Sequence, residues 1–177
     1  MDSLYMRSVI LLLSLSSFCS WGAGESDRYK IGAGDTISIV VYAEEDLSKE
    51  VLINSSGQLD YPYIGPIMAK GKTTSQLQIQ ITKSLKGDYL VDPKVMVNVV
   101  EYRKVYINGE VKQPGGYEFQ PGLTVDKAIA LAGGFTDRAA KDKINVSSNT
   151  AQLSSRSVSL SSNVQPGDII VIEQSFF

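Results

Sequence analysis

The sequence predicts an α+β fold made of two small β-rich domains, and three observations lead to this prediction. Short runs of alternating apolar residues, bounded by turn residues, recur along the chain. Two stretches have the apolar spacing and the end signals of helices. A Gly-Asp turn followed by an alternating apolar strand occurs twice, at Gly34-Asp35 and at Gly167-Asp168. Each small β domain needs such a unit to fix one strand face on its core, so the repeat indicates two domains, with chance recurrence of a common turn as the alternative.

The composition is that of a globular protein and excludes several classes of function. The chain has 177 residues, of which 43% are hydrophobic and 20% are charged, enough for one ordinary domain or two small ones. A net charge of -2 gives no indication of nucleic-acid binding. The chain has no His, and Cys19 is its only Cys, which removes the commonest general base and any cysteine cluster for zinc.

The N-terminus has the pattern of a secretory signal peptide. Arg7 precedes an apolar run from Val9 to Phe18, which is about half of the roughly 20 residues that a membrane span needs. Small residues follow, and cleavage after Gly22 fits their spacing. We therefore expect residues 1–22 to be removed. A retained membrane anchor and lipidation of Cys19 are alternatives, the second disfavoured because Phe18 stands where lipoprotein signals have a small residue.

In the first half, alternation predicts strands at "TISIVVY" and "PKVMVNVVEY". The runs "EVLIN" and "QLDYPYI" flank Ser55–Gly57, which predicts a hairpin-type connection, and Pro62 limits the second run. Apolar residues four apart, Leu77, Ile81 and Leu85, predict a helix that begins after Thr73 or Thr74 and stops near Gly87.

In the second half, "RKVYINGEVKQPGGYEF" predicts two short strands with turns at Gly109 and at Pro114–Gly116. "GLTVDKAIALAGG" predicts the clearest helix, capped by Thr124 and ended by Gly133-Gly134, with Val125, Ala128, Ile129 and Ala132 as its apolar face. The serine-rich residues 147–164 predict short strands and loops, with a flexible linker as the alternative, and "DIIVIEQ" predicts the last strand. The boundary between the domains falls near Glu101–Lys104.

The order and spacing of these features resemble the outer-membrane polysaccharide export (Wza-like) family. Residues 23–102 are similar to its polysaccharide export domain and residues 103–177 to a soluble ligand-binding β-grasp (SLBB) domain. Individually, Gly65, Gly109 and Gly115 are expected to be turn formers. The matching positions in the first half are Tyr29, Ile31, Gly34, Asp35, Ile37, Ile39, Gly57, Pro62, Ile64, Gly65, Gly71, Thr73, Tyr89, Pro93 and Val95–Val99; in the second half they lie in "VYINGEVKQPGGYEFQPGLTVDKAIALAGGFTDRA" and "QPGDIIVI".

The resemblance implies a periplasmic component of a complex that exports capsule, exopolysaccharide or biofilm polysaccharide, forming part of the conduit to the outer membrane. It implies a homo-oligomeric ring and an inner-membrane co-polymerase as partner. The residues after the last strand are too few for the membrane helix of longer family members. We therefore expect docking on a separate outer-membrane protein, a β-barrel. Phe176 and Phe177 are candidate contacts, with packing on their own domain as the alternative. A stand-alone periplasmic carbohydrate-binding module is the alternative.

The sequence shows no catalytic set, cofactor motif or metal site, so we expect a protein that is not an enzyme. A carboxylate-based carbohydrate-active enzyme stays open, because spacing alone does not show whether two acids face one cleft. Aromatic rings could stack on sugars or pack within the protein. The aromatic residues concerned are Tyr61, Tyr63, Tyr89, Tyr102 and Tyr106; the aspartates, mostly expected in turns and caps, are Asp35, Asp60, Asp88, Asp92, Asp126, Asp137, Asp142 and Asp168.

Overall fold

The computed structural model describes residues 29–148 and 156–175. The predicted signal peptide with Cys19, part of the serine-rich stretch, and Phe176 and Phe177 lie outside the described residues. Within them the chain forms an α+β structure of small β-rich units, as the sequence predicts. Two separate hydrophobic clusters define a first lobe, residues 29–101, and a second lobe, residues 105–175, with residues 102–104 between them.

The first lobe is built on a three-stranded antiparallel sheet and a hairpin. Strand β1 (Thr36–Val41) lies between β2 (Lys49–Leu52) and β5 (Val95–Glu101), while β3 (Gln58–Tyr61) pairs with β4 (Gly65–Met68). Alternation along β1 places Ile37, Ile39 and Val41 in the core. These elements pack on one helix and leave the Gly34-Asp35 turn at the start of the central strand.

The predicted hairpin-type connection at Ser55–Gly57 forms as a turn, but the two runs that it joins pair with other strands. Gly57 has a φ of 85°, and its N–H donates to the carbonyl of Asn54 at 2.9 Å. The strands on either side then diverge, because β2 pairs with β1 and β3 pairs with β4. Pro62 lies in the connection between β3 and β4, which confirms that it limits the strand before it.

Helix α1 (Thr74–Leu85) begins and ends where the sequence predicts. Thr73 is the N-cap and forms a capping box with Gln76, which satisfies two backbone N–H groups that the helix leaves unpaired. Leu77, Ile81 and Leu85 are buried against the sheet. The helix therefore covers one face of the first lobe.

The second lobe contains a five-stranded mixed sheet covered by a short helix. The sheet order is β7 (Gly115–Tyr117), β6 (Val105–Gly109), β10 (Asp168–Gln174), β8 (Ala139–Ser148) and β9 (Arg156–Ser157), with β6 and β10 parallel. Helix α2 (Val125–Leu131) and the residue after it bury Val125, Ala128, Ile129 and Ala132, the predicted face. The last strand and the turns at Gly109 and Gly133-Gly134 also form as predicted.

Three details of the second lobe differ from the sequence prediction. Gly115 and Gly116, expected in a turn, lie in β7, and the chain bends before them at residues 112–113. Strand β8 was not predicted, because exposed charged residues at 141–143 interrupt its alternation. Thr124 is the N-cap of α2, yet its hydroxyl bonds to the carboxylate of Asp126 rather than to the backbone. The N–H groups of Val125 and Asp126 donate instead to the carbonyls of Ser162 and Leu160 at 3.0 Å. The helix start is thus satisfied by the loop before β10.

In the part of the chain that the structure describes, neither helix has the length and hydropathy to cross a bilayer.

Candidate functional site at the junction of the lobes

The two Gly-Asp turns have the same geometry, one in each lobe. The N–H of Asp35 donates to the carbonyl of Gly32 at 3.2 Å, and the Asp168 N–H donates to the Gln165 carbonyl at 3.1 Å. Each carboxylate accepts a bond in return: Asp35 Oδ2 from the Gly32 N–H at 2.7 Å, and Asp168 Oδ2 from the Gln165 N–H at 2.9 Å. The glycine before each aspartate has a φ of 91° or 85°, as the third position of a type II turn requires. The repeated unit therefore closes an identical turn twice.

Arg103 lies between these two turns. A Cβ atom on Gly32 would fall 2.2 Å from Arg103 Nη1, and one on Gly167 would fall 2.6 Å from Arg103 Nε. Both distances are far below van der Waals contact, so the approach depends on the glycines lacking side chains. The segment between the lobes thus brings one arginine against both turns.

Asp35 binds Arg103 through both its backbone and its side chain. Arg103 Nη1 lies 3.1 Å from Asp35 Oδ2 in an ion pair, and the Arg103 N–H donates to Asp35 Oδ1 at 2.9 Å. The Tyr29 hydroxyl donates to Asp35 Oδ2 at 2.5 Å and accepts from Arg103 Nη1 at 2.8 Å. The Asp35 side chain is 0% exposed, so its charge is stabilised by these partners rather than by water.

Burial and the neighbouring Asp35 carboxylate raise the pKa of the Tyr29 phenol well above its ordinary value. Tyr29 therefore stays a neutral donor to that carboxylate. Burial also raises the pKa of Asp168, opposed by the Gln165 N–H and by the positive charges of Arg156 and Arg103. The two turns share a shape, but Asp168 lacks the ion pair that Asp35 makes.

A row of aromatic rings crosses the junction beside Arg103. The rings of Tyr29 and Tyr102 pack edge to face with centroids 5.0 Å apart, and those of Tyr102 and Phe119 do so at 5.3 Å. The row borders a cavity of about 320 Å³, which we call the junction cavity. Its lining consists of Tyr29, Tyr102, Phe119, Pro121, Gly122, Leu123, Asn163, Val164, Gln165 and Pro166.

The structure separates the five tyrosines named from the sequence. Tyr61 is buried in the first lobe, and Tyr106 is half-exposed on the second. Tyr63 and Tyr89 are exposed neighbours with ring centroids 5.5 Å apart, away from the junction cavity. Tyr102 is the one that lines the cavity. Sequence reasoning therefore found one of its three aromatic residues.

Arg103 and Phe119 were not singled out from the sequence as functional residues. Tyr29 and Asp35 had appeared only as positions of the family pattern. The available signal for Arg103 was its place at the predicted domain boundary, between the charged residues Glu101 and Lys104. That signal does not identify its partner, because Asp35 precedes it by 68 residues.

Most of the aspartates named from the sequence lie in or beside turns and caps as expected, but Asp60 and Asp142 lie within β3 and β8. Asp35 and Asp168 are buried, and both already accept hydrogen bonds within their turns. Within residues 29–148 and 156–175, no three acidic side chains are grouped as a metal site would need. Of the aspartates named from the sequence, the exposed ones are Asp60, Asp88, Asp92, Asp126, Asp137 and Asp142.

Two family models match the chain in tandem. The model described as polysaccharide biosynthesis/export protein matches residues 23–100, and the SLBB domain model matches residues 104–158. Arg103 lies in the short gap between the two matches. The chain belongs to the polysaccharide biosynthesis/export protein family, the Wza-like proteins, and carries an SLBB domain.

Curated relatives are consistent with this membership. The exopolysaccharide production protein ExoF of Rhizobium meliloti is 35% identical over 175 residues, which cover 89% of this chain and 41% of ExoF. The EPS I polysaccharide export outer membrane protein EpsA of Ralstonia solanacearum is 29% identical over 132 residues, covering 60% of this chain and 35% of EpsA. The polysialic acid transport protein KpsD of Escherichia coli is 26% identical over 108 residues, covering 60% of this chain and 19% of KpsD. The chain thus spans less than half the length of each of these relatives.

Proposed function

We propose that this protein is a component of a polysaccharide export complex, for capsule or exopolysaccharide, and that it forms part of the conduit to the outer membrane. The main support is the tandem order of the two family matches, joined at Arg103. The names of ExoF, EpsA and KpsD, all concerned with making or moving a polysaccharide, support the same class of cargo.

The proposed organisation is a signal peptide over residues 1–22, an export domain over 23–102 and an SLBB domain over 103–177. On this organisation the mature protein acts in the periplasm, peripheral to the outer membrane. The intact mass of the protein from cell envelopes tests it. Loss of residues 1–22 is expected, and retention of residues 1–18 contradicts the proposed organisation. A mass that includes a diacylglycerol group on Cys19 would show that the protein is lipidated there instead of being cleaved after Gly22.

The proposed partners are further copies of this chain in a ring, an inner-membrane co-polymerase and a separate outer-membrane β-barrel. An exposed apolar surface on the first lobe supports a subunit contact. Val40 and Met96 are paired across β1 and β5 and are 46% and 58% exposed, with Val100 two pleats further along β5. Met96→Lys is expected to abolish chemical cross-linking between copies in cells while leaving the melting temperature unchanged. Undiminished cross-linking contradicts a ring contact through this face.

We propose that the protein moves the polymer without cleaving or extending it. Asp35 and Asp168 are engaged in their turns, which leaves neither as a free carboxylate at the junction cavity. Purified protein is expected to leave the length distribution of the strain's own polysaccharide unchanged. Reproducible turnover that is lost on replacing one carboxylate would contradict this part of the proposal.

The export role is tested by deleting the gene from the strain that carries it. The deletion strain is expected to lose polysaccharide from the culture medium and the cell surface, and a plasmid with the full chain is expected to restore both. Normal secretion in the deletion strain overturns the export role and leaves the stand-alone carbohydrate-binding module as the better account.

A further inference from the structure

We propose that the junction cavity binds one neutral sugar ring of the exported polysaccharide. This inference rests on the proposed function, which identifies the ligand as part of an exported polysaccharide. The location of the site and the kind of sugar are argued from the shape and chemistry of the cavity. It assigns a binding site to residues that belong to both lobes.

The size of the cavity suits a single ring. Its volume of about 320 Å³ lies at the low end of the roughly 300–1,000 Å³ range of small-molecule pockets. Tyr29, Tyr102 and Phe119, which contact one another in a row, are among its lining residues. The C–H face of a pyranose is apolar and packs well on aromatic carbon, while its rim of hydroxyl groups needs polar partners.

Suitable polar partners lie in the lining contributed by the loop before β10. Asn163 and Gln165 are exposed there, and their side-chain amides make no hydrogen bond to any described residue. A side-chain amide offers two N–H donors and a carbonyl acceptor. Hydroxyl groups need both kinds of partner, so two free amides beside aromatic rings match a sugar better than an apolar ligand.

The lining indicates a neutral ring rather than an acidic one. None of its ten residues is charged. A uronic acid would therefore lose water from its carboxylate without gaining a cation from the lining, which is unfavourable. The nearest cations already have partners: Arg103 is bonded to Asp35 and Tyr29, and the Lys127 ammonium to the Gly122 carbonyl. The adjoining cavity of about 190 Å³ differs in this respect, since Glu101, Arg103, Lys104 and Glu118 contribute to its lining.

The junction cavity depends on contact between the lobes. Tyr29 comes from the first lobe, Tyr102 from the connecting segment, and Phe119 and the two amides from the second lobe. A ligand that binds only when the lobes are together stabilises that arrangement by mass action. Sugar binding is thus linked to the contact that Arg103 makes with both turns.

The test uses oligosaccharides prepared by partial acid hydrolysis of the strain's own exopolysaccharide and divided into neutral and acidic fractions by anion exchange. Binding to the purified full chain is measured by saturation-transfer NMR and calorimetry. The neutral fraction is expected to bind. The double variant Asn163→Ala/Gln165→Ala is expected to weaken binding about tenfold or more, since two hydrogen bonds are lost.

The matched control is Asn108→Ala/Gln113→Ala, which removes the same two amides from positions outside the cavity lining. The control is expected to bind the neutral fraction like the wild type. Both double variants are expected to keep the melting temperature of the wild type. No binding of the neutral fraction, binding unchanged in Asn163→Ala/Gln165→Ala, or preference for the acidic fraction overturns the inference. Because the deletion experiment tests export itself, lost export without sugar binding rejects this site alone.

Discussion

Asp35 of the first lobe and Arg103 of the connecting segment form an ion pair. Asp35 Oδ2 and Arg103 Nη1 are 3.1 Å apart, and the carboxylate is fully buried. The Arg103 backbone N–H adds a bond of 2.9 Å to the other carboxylate oxygen. Removing one partner of a buried pair leaves a charge without compensation, which costs more than the pair itself contributes. The contact therefore fixes where the connecting segment leaves the first lobe.

Replacing Arg103 with Met is expected to reduce the free energy of unfolding by about 2–4 kcal/mol, because Asp35 stays buried without its cation. Urea denaturation followed by circular dichroism measures the change. Lys104→Met, which removes a neighbouring exposed charge, is the control and is expected to stay within about 0.5 kcal/mol of the wild type. Equal effects of the two substitutions would contradict the role of the pair.

Asp168→Asn is expected to stabilise the protein near neutral pH. In the folded protein the pKa of Asp168 is raised above its ordinary value of 3.8, chiefly by burial. The folded state therefore binds the Asp168 proton more tightly than the unfolded state does. The stability that this protonation contributes is lost as pH rises from 3.8 through the raised pKa. Asparagine cannot ionise, and its amide oxygen can still accept from the Gln165 N–H.

The measurement for Asp168→Asn is the unfolding free energy as a function of pH. The variant's advantage over the wild type is expected above that window and should vanish below pH 3.8. A pH-independent difference between the two proteins would show that the effect does not come from this ionisation.

Gly32→Ala is expected to displace the Arg103 guanidinium, since the new Cβ would lie 2.2 Å from Nη1. The loss of that group's bonds should cost about 1–3 kcal/mol. Gly115→Ala is the control, because a Cβ there would meet nothing closer than 4.0 Å. Adding Arg103→Met to Gly32→Ala should cost little more, as the two changes remove the same contact. Additive losses would contradict this.

Gly109→Ala is expected to destabilise the second lobe by about 3 kcal/mol or more, through strain and overpacking together. Gly109 has a φ of 86° and ends β6, where a Cβ would lie 2.0 Å from the Ile172 carbonyl oxygen of β10. Neither backbone can shift without breaking the parallel pairing of these strands. Hydrogen exchange of the β10 amides measures the loss. Unchanged protection would contradict the prediction, because it would show that the two strands accommodate the Cβ and stay paired.

Local signals predicted the helices and the turns well. The capping box at Thr73, the glycines after α2 and the Gly-Asp units all act through neighbours within a few residues, so they can be recognised in the sequence. β2 pairs with β1 and β3 pairs with β4, although the connection between β2 and β3 also has the local signals of a hairpin. The local pattern does not show which neighbouring strand each one pairs with. Strand β8 was missed because its charged middle hides the alternation.

The candidate site was the least predictable part, because residues far apart in the sequence form it. Arg103 becomes distinctive only when the fold brings Asp35 from one lobe and the Gly167 turn from the other against it. Tyr29, Tyr102 and Phe119 are unremarkable aromatic residues in the sequence and form a row only in three dimensions. A site made between lobes leaves no compact motif.

The most direct test of the export role is a pulse–chase experiment on the polymer itself. Cells are given a short pulse of radiolabelled sugar, and label in polymer is followed in the cell-retained and secreted fractions. With the gene deleted, we predict that label still enters polymer but stays with the cells, and that the full chain restores its release. Release at the wild-type rate without the gene, or loss of all polymer synthesis with no retained product, would contradict the account.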